Sequence, residues 1–460
     1  MRELGLSGVI EDRIPPEDYL DARAYAGRLP PIAEREVEKV EEHLEEEPQR
    51  VLDEAKRSLG TEVRPSELRA DLSDLKAALR SPETAIDELR AAQRHRRTAI
   101  DVPENFSFEG YDPIDIPLDP GSRKYETWGD WMAWLATWVA AKTYRVPKAT
   151  FERHGERTFV YDLQVGEHPR IALFSDFGTG LPHSRYIAKQ LCRGRFDALI
   201  HLGDVYYNGQ PEEFRTGMIE PLRPCLATTP LYTLLGNHEL YSGGHAFFSF
   251  MARRRQLHPD LHRQEGSYFA LRVGERYQLV ALDTDYFAPA RFRDPELRGW
   301  FRAALEAGRR AGRFNILLTA NEPHIYGSAR FNRLYADLSD SLPLVDLWFW
   351  GNTHYCALFD RQGDMPIGSC IGHGGFPYHL SEYRLDEPPE MVATAQPVLW
   401  AERSSRYPSE TKLRPECGNN GYCVLELEEE WLRMVYIDWM ARVRCSATLS
   451  LAERAMALVY

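Results

Sequence analysis

The sequence predicts an α/β fold on three observations. Apolar runs of strand length recur between Arg170 and His354, stretches of helical period separate them, and nearly every run ends on Asp, Asn or His. The runs are RIALFSD, DALIHLGD, LYTLLGNHE, YQLVALDTD, FNILLTANEPH and LVDLWFWGNTH, each rich in Leu, Ile, Val and aromatic residues, as strands buried on both faces are. Between them DPELRGWFRAALEAGRR predicts a helix with Asp294 as N-cap and Pro295 at its first position. In alternating sheets of this kind the ligand site lies at the carboxyl ends of the strands. Asp176, Asp204, Tyr207, Asn237, His238, Asn321, His324, Asn352 and His354 are therefore expected along one edge. Any of them alone serves equally well as a turn or capping residue. Together they offer carboxylate, phenol, amide and imidazole, the donors of a mixed hard and borderline metal site.

In chain order, residues 1–100 predict a mainly helical N-terminal region. Leu68, Leu72, Leu75 and Leu79 recur at helical spacing after a capping Ser66, and Ser81 followed by Pro82 opens a second helix. Residues 101–160 predict an extended connector followed by a helix with Trp131, Trp134, Leu135 and Trp138 on one face. That face is expected to dock on the next domain, because its polar side lacks the Lys and Arg of a membrane-surface helix. Residues 161–460 carry the strand-end pattern and form the third expected domain.

The charge balance, 69 acidic against 56 basic residues, argues against general nucleic-acid binding but leaves a small phosphorylated ligand open. The first residues lack the basic and apolar segments of a secretory signal, and no run is long enough to cross a bilayer, so no transmembrane segment and a cytoplasmic location are expected. The seven cysteines are scattered, with no C-x-x-C pair, and are expected to be buried free thiols.

Four motifs carry a resemblance: DFG at Asp176, GDVYY from Gly203 to Tyr207, GNHE from Gly236 to Glu239, and GNTH from Gly351 to His354. In this order and spacing the chain resembles the calcineurin-like metallophosphoesterases, and within them the purple-acid-phosphatase-like branch. The resemblance covers roughly residues 170–375, and implies a metallophosphoesterase β-sandwich flanked by helices, with GYCVLELEEEWLRMVYIDW completing the second sheet. Most of the superfamily has histidine where Gly178 stands; the purple-acid-phosphatase branch has glycine there and a tyrosine three residues after the second-motif aspartate, the place of Tyr207. The resemblance thus implies Fe(III) held by Asp176, Tyr207 and His354, with Asp204 bridging to a second, divalent ion (Fe, Mn, Zn or Mg).

At that second ion the chain departs from the pattern. The resemblance implies Asn237 and two histidines as ligands, yet Asn321 and Asn352 occupy the histidine positions. An amide oxygen is a weaker, harder donor than imidazole. Three accounts stay open: an enzyme working with one metal or with Mn or Mg on oxygen ligands, a degenerate binder, or an inactivating double substitution. If chemistry occurs it is metal-assisted hydrolysis of a phosphate monoester or diester. His238 is then the residue that contacts phosphate and protonates the leaving oxygen. His324, His373 and Arg254 are the candidates for lining the substrate pocket. The different-class alternative is a metal-depleted pseudoenzyme that binds a phosphorylated ligand, or a protein partner through the N-terminal helices.

Overall fold

The computed structural model describes residues 14–20, 147–155, 158–206, 208–406, 417–452 and 456–459. The expected N-terminal helices and the Trp-rich helix lie outside the described residues.

Two mixed sheets form the body. The first has strand order β1-β5-β6-β7-β8-β10-β9-β11, built from β1 (Val160–Leu163), β5 (Phe269–Val273), β6 (Tyr277–Leu282), β7 (Phe314–Thr319), β8 (Leu347–Trp350), β9 (Cys356–Phe359), β10 (Ile367–Ile371) and β11 (Val398–Ala401). The second has order β15-β14-β13-β12-β2-β3-β4, built from β2 (Arg170–Phe174), β3 (Ala198–His201), β4 (Leu231–Thr233), β12 (Gly421–Leu427), β13 (Trp431–Asp438), β14 (Val443–Ser450) and β15 (Met456–Val459). All six apolar runs are strands. Within the two sheets β2, β3 and β4 run parallel to one another, as do β6, β7 and β8. The expected tail strands are β12 and β13, and β12 pairs antiparallel with β2, so the tail does complete the second sheet.

Alternation along each strand separates three cores. Ile171 and Leu173 of β2 face Leu279, Ile316, Leu318 and Phe349 of the other sheet, filling the space between the sheets. Their neighbours Ala172 and Phe174 face outward under α1 (Pro182–Arg193) and α2 (His245–Leu257). On the far side Leu317, Trp348 and Trp350 pack against Trp300, Phe301 and Leu305 of α3 (Pro295–Arg310). The result is a β-sandwich with helices on both outer faces. α3 begins as expected: Asp294 accepts hydrogen bonds from the Glu296 and Leu297 amides, with Pro295 in the first turn.

One expectation is overturned. Cys192 of α1 and Cys225 of the helix Glu220–Leu226 form a disulfide with Cα atoms 5.0 Å apart; Cys356, Cys370, Cys417, Cys423 and Cys445 are buried free thiols, as expected. The pair was hidden because the two cysteines are 33 residues apart and meet only when α1 packs on that helix. Among the described residues no helix is long and apolar enough to cross a membrane. By loop-closure entropy across this separation, reduction of the disulfide is expected to remove about 3–4 kcal/mol of stability. Urea unfolding with and without reductant, and of Cys192→Ser/Cys225→Ser, checks this.

Candidate metal centre

The site forms where the carboxyl ends of β2, β3 and β4 meet those of β7 and β8. Asp176 and Asp204 follow β2 and β3, Asn237 opens the short helix Asn237–Leu240 after β4, and Asn321 and Asn352 follow β7 and β8. Asp176, Asp204 and Asn352 all have left-handed backbones, with φ of 55°, 74° and 64°. Asp and Asn tolerate this conformation best among non-glycine residues, and such conformations collect at functional sites. The turns are close-packed. A Cβ on Gly178 would lie 2.6 Å from Val205 Cα, so no side chain fits there without displacing the second-motif loop.

Around Asp176 the donors converge. One carboxylate oxygen accepts the Tyr206 hydroxyl; the other accepts the Asn352 amide at 3.0 Å and the Ser175 hydroxyl at 2.8 Å. His354 Nε2 lies 3.0 Å from the Tyr206 hydroxyl and 3.6 Å from Asp176 Oδ1. Phe376 covers this corner, its ring centroid 4.3 Å from His354 and 4.4 Å from Tyr206. His238 sits beside it, with its ring 4.3 Å from Tyr206 and its backbone amide donating to Asp204 Oδ1 at 3.2 Å.

Toward the second sheet's neighbour the groups are amides and further carboxylates. Asn352 Nδ2 donates to Glu322 Oε2 at 2.7 Å, and Asn321, with its amide nitrogen assigned to the side facing Asp285, donates to Asp285 Oδ2 at 2.7 Å. Asn237 Nδ2 donates to the Tyr241 hydroxyl at 3.0 Å, while its Oδ1 is buried without a hydrogen-bond partner among the described residues. Glu239 is a structural clamp. Its carboxylate accepts from the amides of Val205 at 3.0 Å, Gly236 at 3.0 Å and Asp204 at 3.3 Å, tying the second and third motifs together.

Burial dominates the electrostatics. It raises the carboxyls of Asp176, Glu239, Asp285 and Glu322 above their ordinary range, and holds Asp204 up at about 7; the Asp204 charge adds to the shifts of Asp176, Glu239 and Asp285. Burial, followed by the neighbouring His238, lowers His354 to about 3. This crevice concentrates acidic oxygens with little to balance them, the setting a bound cation would relieve. Among the described residues no three His, Cys, Asp or Glu side chains are grouped to hold a metal by themselves. A metal here has to draw on amide and phenol oxygens as well. The first position fits on those terms, with Asp176, Asp204, His354 and a tyrosine oxygen at hand. The second does not fit an imidazole-based ion, because both histidine positions hold amides.

The strand-end residues Asp176, Asp204, Asn237, His238, Asn321, Asn352 and His354 are thus brought to one edge. Tyr207 lies outside the described residues. Three expected pocket residues have buried side chains. His324 is buried against Trp350 and Phe359, with Nε2 2.9 Å from Gln396 Oε1, because its position after Pro323 turns it into the outer core. His373 is wholly buried against Gly421, and burial lowers it to about 4. Arg254 lies on the inward face of α2, with no exposure, against Phe250 and 2.9 Å from Gln264 Oε1, so it cannot meet a substrate. Sequence reasoning missed Tyr206, Glu239, Asp285 and Glu322. Only Glu239 had a local signal, the capping-box spacing from Gly236.

Residues 169–356 fit the family model described as calcineurin-like phosphoesterase. The chain is 35% identical to acid phosphatase type 7 of Mus musculus over 82 residues, 17% of this chain and 19% of that protein, and 34% identical to the Homo sapiens protein over the same length. It therefore spans about a fifth of the length of the curated relatives it matches. Similar solved structures include the purple acid phosphatase PPD1 from yellow lupin (Lupinus luteus) seeds, at TM-score 0.43 and 16% identity over 63% of this chain and 55% of that one. Another is GAP50, the anchor in the inner membrane complex of Plasmodium, at TM-score 0.45 and 14% identity over 62% and 89%.

The clamp yields a prediction. Glu239→Ala orphans three backbone amides and is expected to cost about 3 kcal/mol or more, while Glu239→Gln, which keeps one acceptor, costs less. Urea unfolding of the two variants measures the difference.

Proposed function

We propose that the chain hydrolyses a phosphate monoester or diester of a small phosphorylated substrate at this strand-end site. The observation that most supports it is the convergence of Asp176, Asp204, Asn237, His238 and His354 inside the segment that matches the phosphoesterase family model. Asp176, His354, Asp204 and a tyrosine oxygen, Tyr207 on the resemblance, suit a hard trivalent ion such as Fe(III). Metal ions bound here supply polarisation of phosphoryl oxygens and a water acidic enough to attack phosphorus.

The chain's own part is positional. The Asp204 carboxylate is fixed by the His238 amide, so the residue after Asn237 is held at a set distance from the acidic crevice. The His238 ring, half-buried between Tyr206 and Tyr241, is placed to hold a proton for the leaving oxygen. Tyr206 and Phe376 wall the His354 side with aromatic surface and keep bulk water off it. The N-terminal region, 1–100, remains the candidate surface for a protein partner. The Cys192–Cys225 disulfide weighs toward an oxidising compartment.

A second reading, a phosphate-binding module without turnover, is favoured by Asn321 and Asn352 at positions the resemblance gives to histidine. Hydrolysis of p-nitrophenyl phosphate and bis(p-nitrophenyl) phosphate by the metal-supplemented protein separates the two. Hydrolysis is expected, with kcat falling about 100-fold or more in His238→Gln. Phosphate binding without turnover, unchanged in Asn321→His/Asn352→His, supports the second reading.

A further inference from the structure

We propose that the second metal position of this chain is an all-oxygen site that takes Mg2+ or Mn2+, with Glu322 and Asp285 fixing the amides that replace imidazole. The inference rests on reading the strand ends as a metal centre and concerns only their second position. Two amides there are anchored through nitrogen. Asn352 gives its Nδ2 to Glu322 at 2.7 Å and Asn237 gives its Nδ2 to Tyr241 at 3.0 Å. Among the described residues neither Oδ1 accepts a hydrogen bond, and that of Asn237 is buried. A buried amide oxygen without a donor costs free energy, and an anchored nitrogen fixes which way that oxygen points. The Asn321 amide is likewise held: with its nitrogen assigned to the side facing Asp285, it donates to both Asp285 oxygens at 2.7 and 3.2 Å.

The carboxylates behind the amides play the part that a carboxylate plays behind a metal-bound histidine: they orient the ligand and strengthen it as a donor. Glu322 and Asp285 are 9% and 2% exposed, so the carboxyl groups behind the amides are held in packed surroundings. Neutral oxygen donors fixed in this way suit a small hard cation, and carboxylate and carbonyl oxygens are the ligands of Mg2+ and Mn2+; Zn2+ favours nitrogen and sulfur. The amide–carboxylate pairs also give the two substitutions one explanation, since each asparagine hydrogen-bonds to an acidic residue within reach of the same ion.

The test is calorimetric titration of Mn2+, Mg2+ and Zn2+ into the purified full chain carrying iron at its first position, with elemental analysis of the product. Mn2+ or Mg2+ is expected to add a second ion per chain. Glu322→Gln and Asp285→Asn are each expected to weaken that binding 10-fold or more, with far-UV circular dichroism confirming their fold. Asn321→His/Asn352→His is expected to raise Zn2+ affinity 10-fold or more without raising that for Mg2+. Failure of Mn2+ and Mg2+ to bind beside a filled first position, or binding unchanged in Glu322→Gln and Asp285→Asn, overturns the inference alone. Failure of iron to bind at all removes the metal-centre reading and the inference with it.

Discussion

The constraint on which the site depends is the burial of Asp176, Asp204, Glu239, Asp285 and Glu322 in one crevice. Among the described residues the basic group set against these acids is His354, whose Nε2 lies 3.6 Å from Asp176 Oδ1 and which burial lowers toward its neutral form. Folding therefore places acids together where water cannot screen them, an arrangement that keeps protons on some of them or recruits a cation. Everything else at this edge can be understood as holding that arrangement in register. Left-handed backbones aim Asp176, Asp204 and Asn352 inward, and Gly178 lets the first two motif loops touch.

The sandwich supplies the rigidity. The strand-end residues of the site stand two to five positions beyond strands whose side chains are locked in a core on both faces, so their backbones are fixed before their side chains are considered. Glu239 extends that rigidity across the loops, since a single carboxylate joins three backbone amides from two motifs. The two sheets meet at Asp176, which accepts the Asn352 amide from the neighbouring sheet. A shift of either sheet would open the first position, which ties the fold's stability to the geometry of its chemistry.

Much of this was legible in the sequence because strand-end chemistry is local. The six apolar runs, the Asp294 cap of α3 and the tail hairpin are written in periodicity and in turn residues, and the convergence of polar ends follows from parallel strands. What the sequence did not disclose was long-range or directional. His324 and Arg254 have the right chemistry, but their side chains point into cores, a matter of which face of a turn or helix they occupy. Asp285 and Glu322 were hidden because their contacts, with Asn321 and Asn352, join residues 30 or more positions apart, which no local spacing encodes. The Cys192–Cys225 pair required the packing of two helices, which no spacing encodes.

The central claim is that these strand ends form a metal centre. Elemental analysis of the purified chain, with a visible spectrum on the same sample, tests it most directly. The account predicts iron bound to the chain with a tyrosinate-to-iron charge-transfer band, both lost in Asp176→Asn. A chain that folds, binds no metal from an iron-containing medium and shows no such band would contradict it.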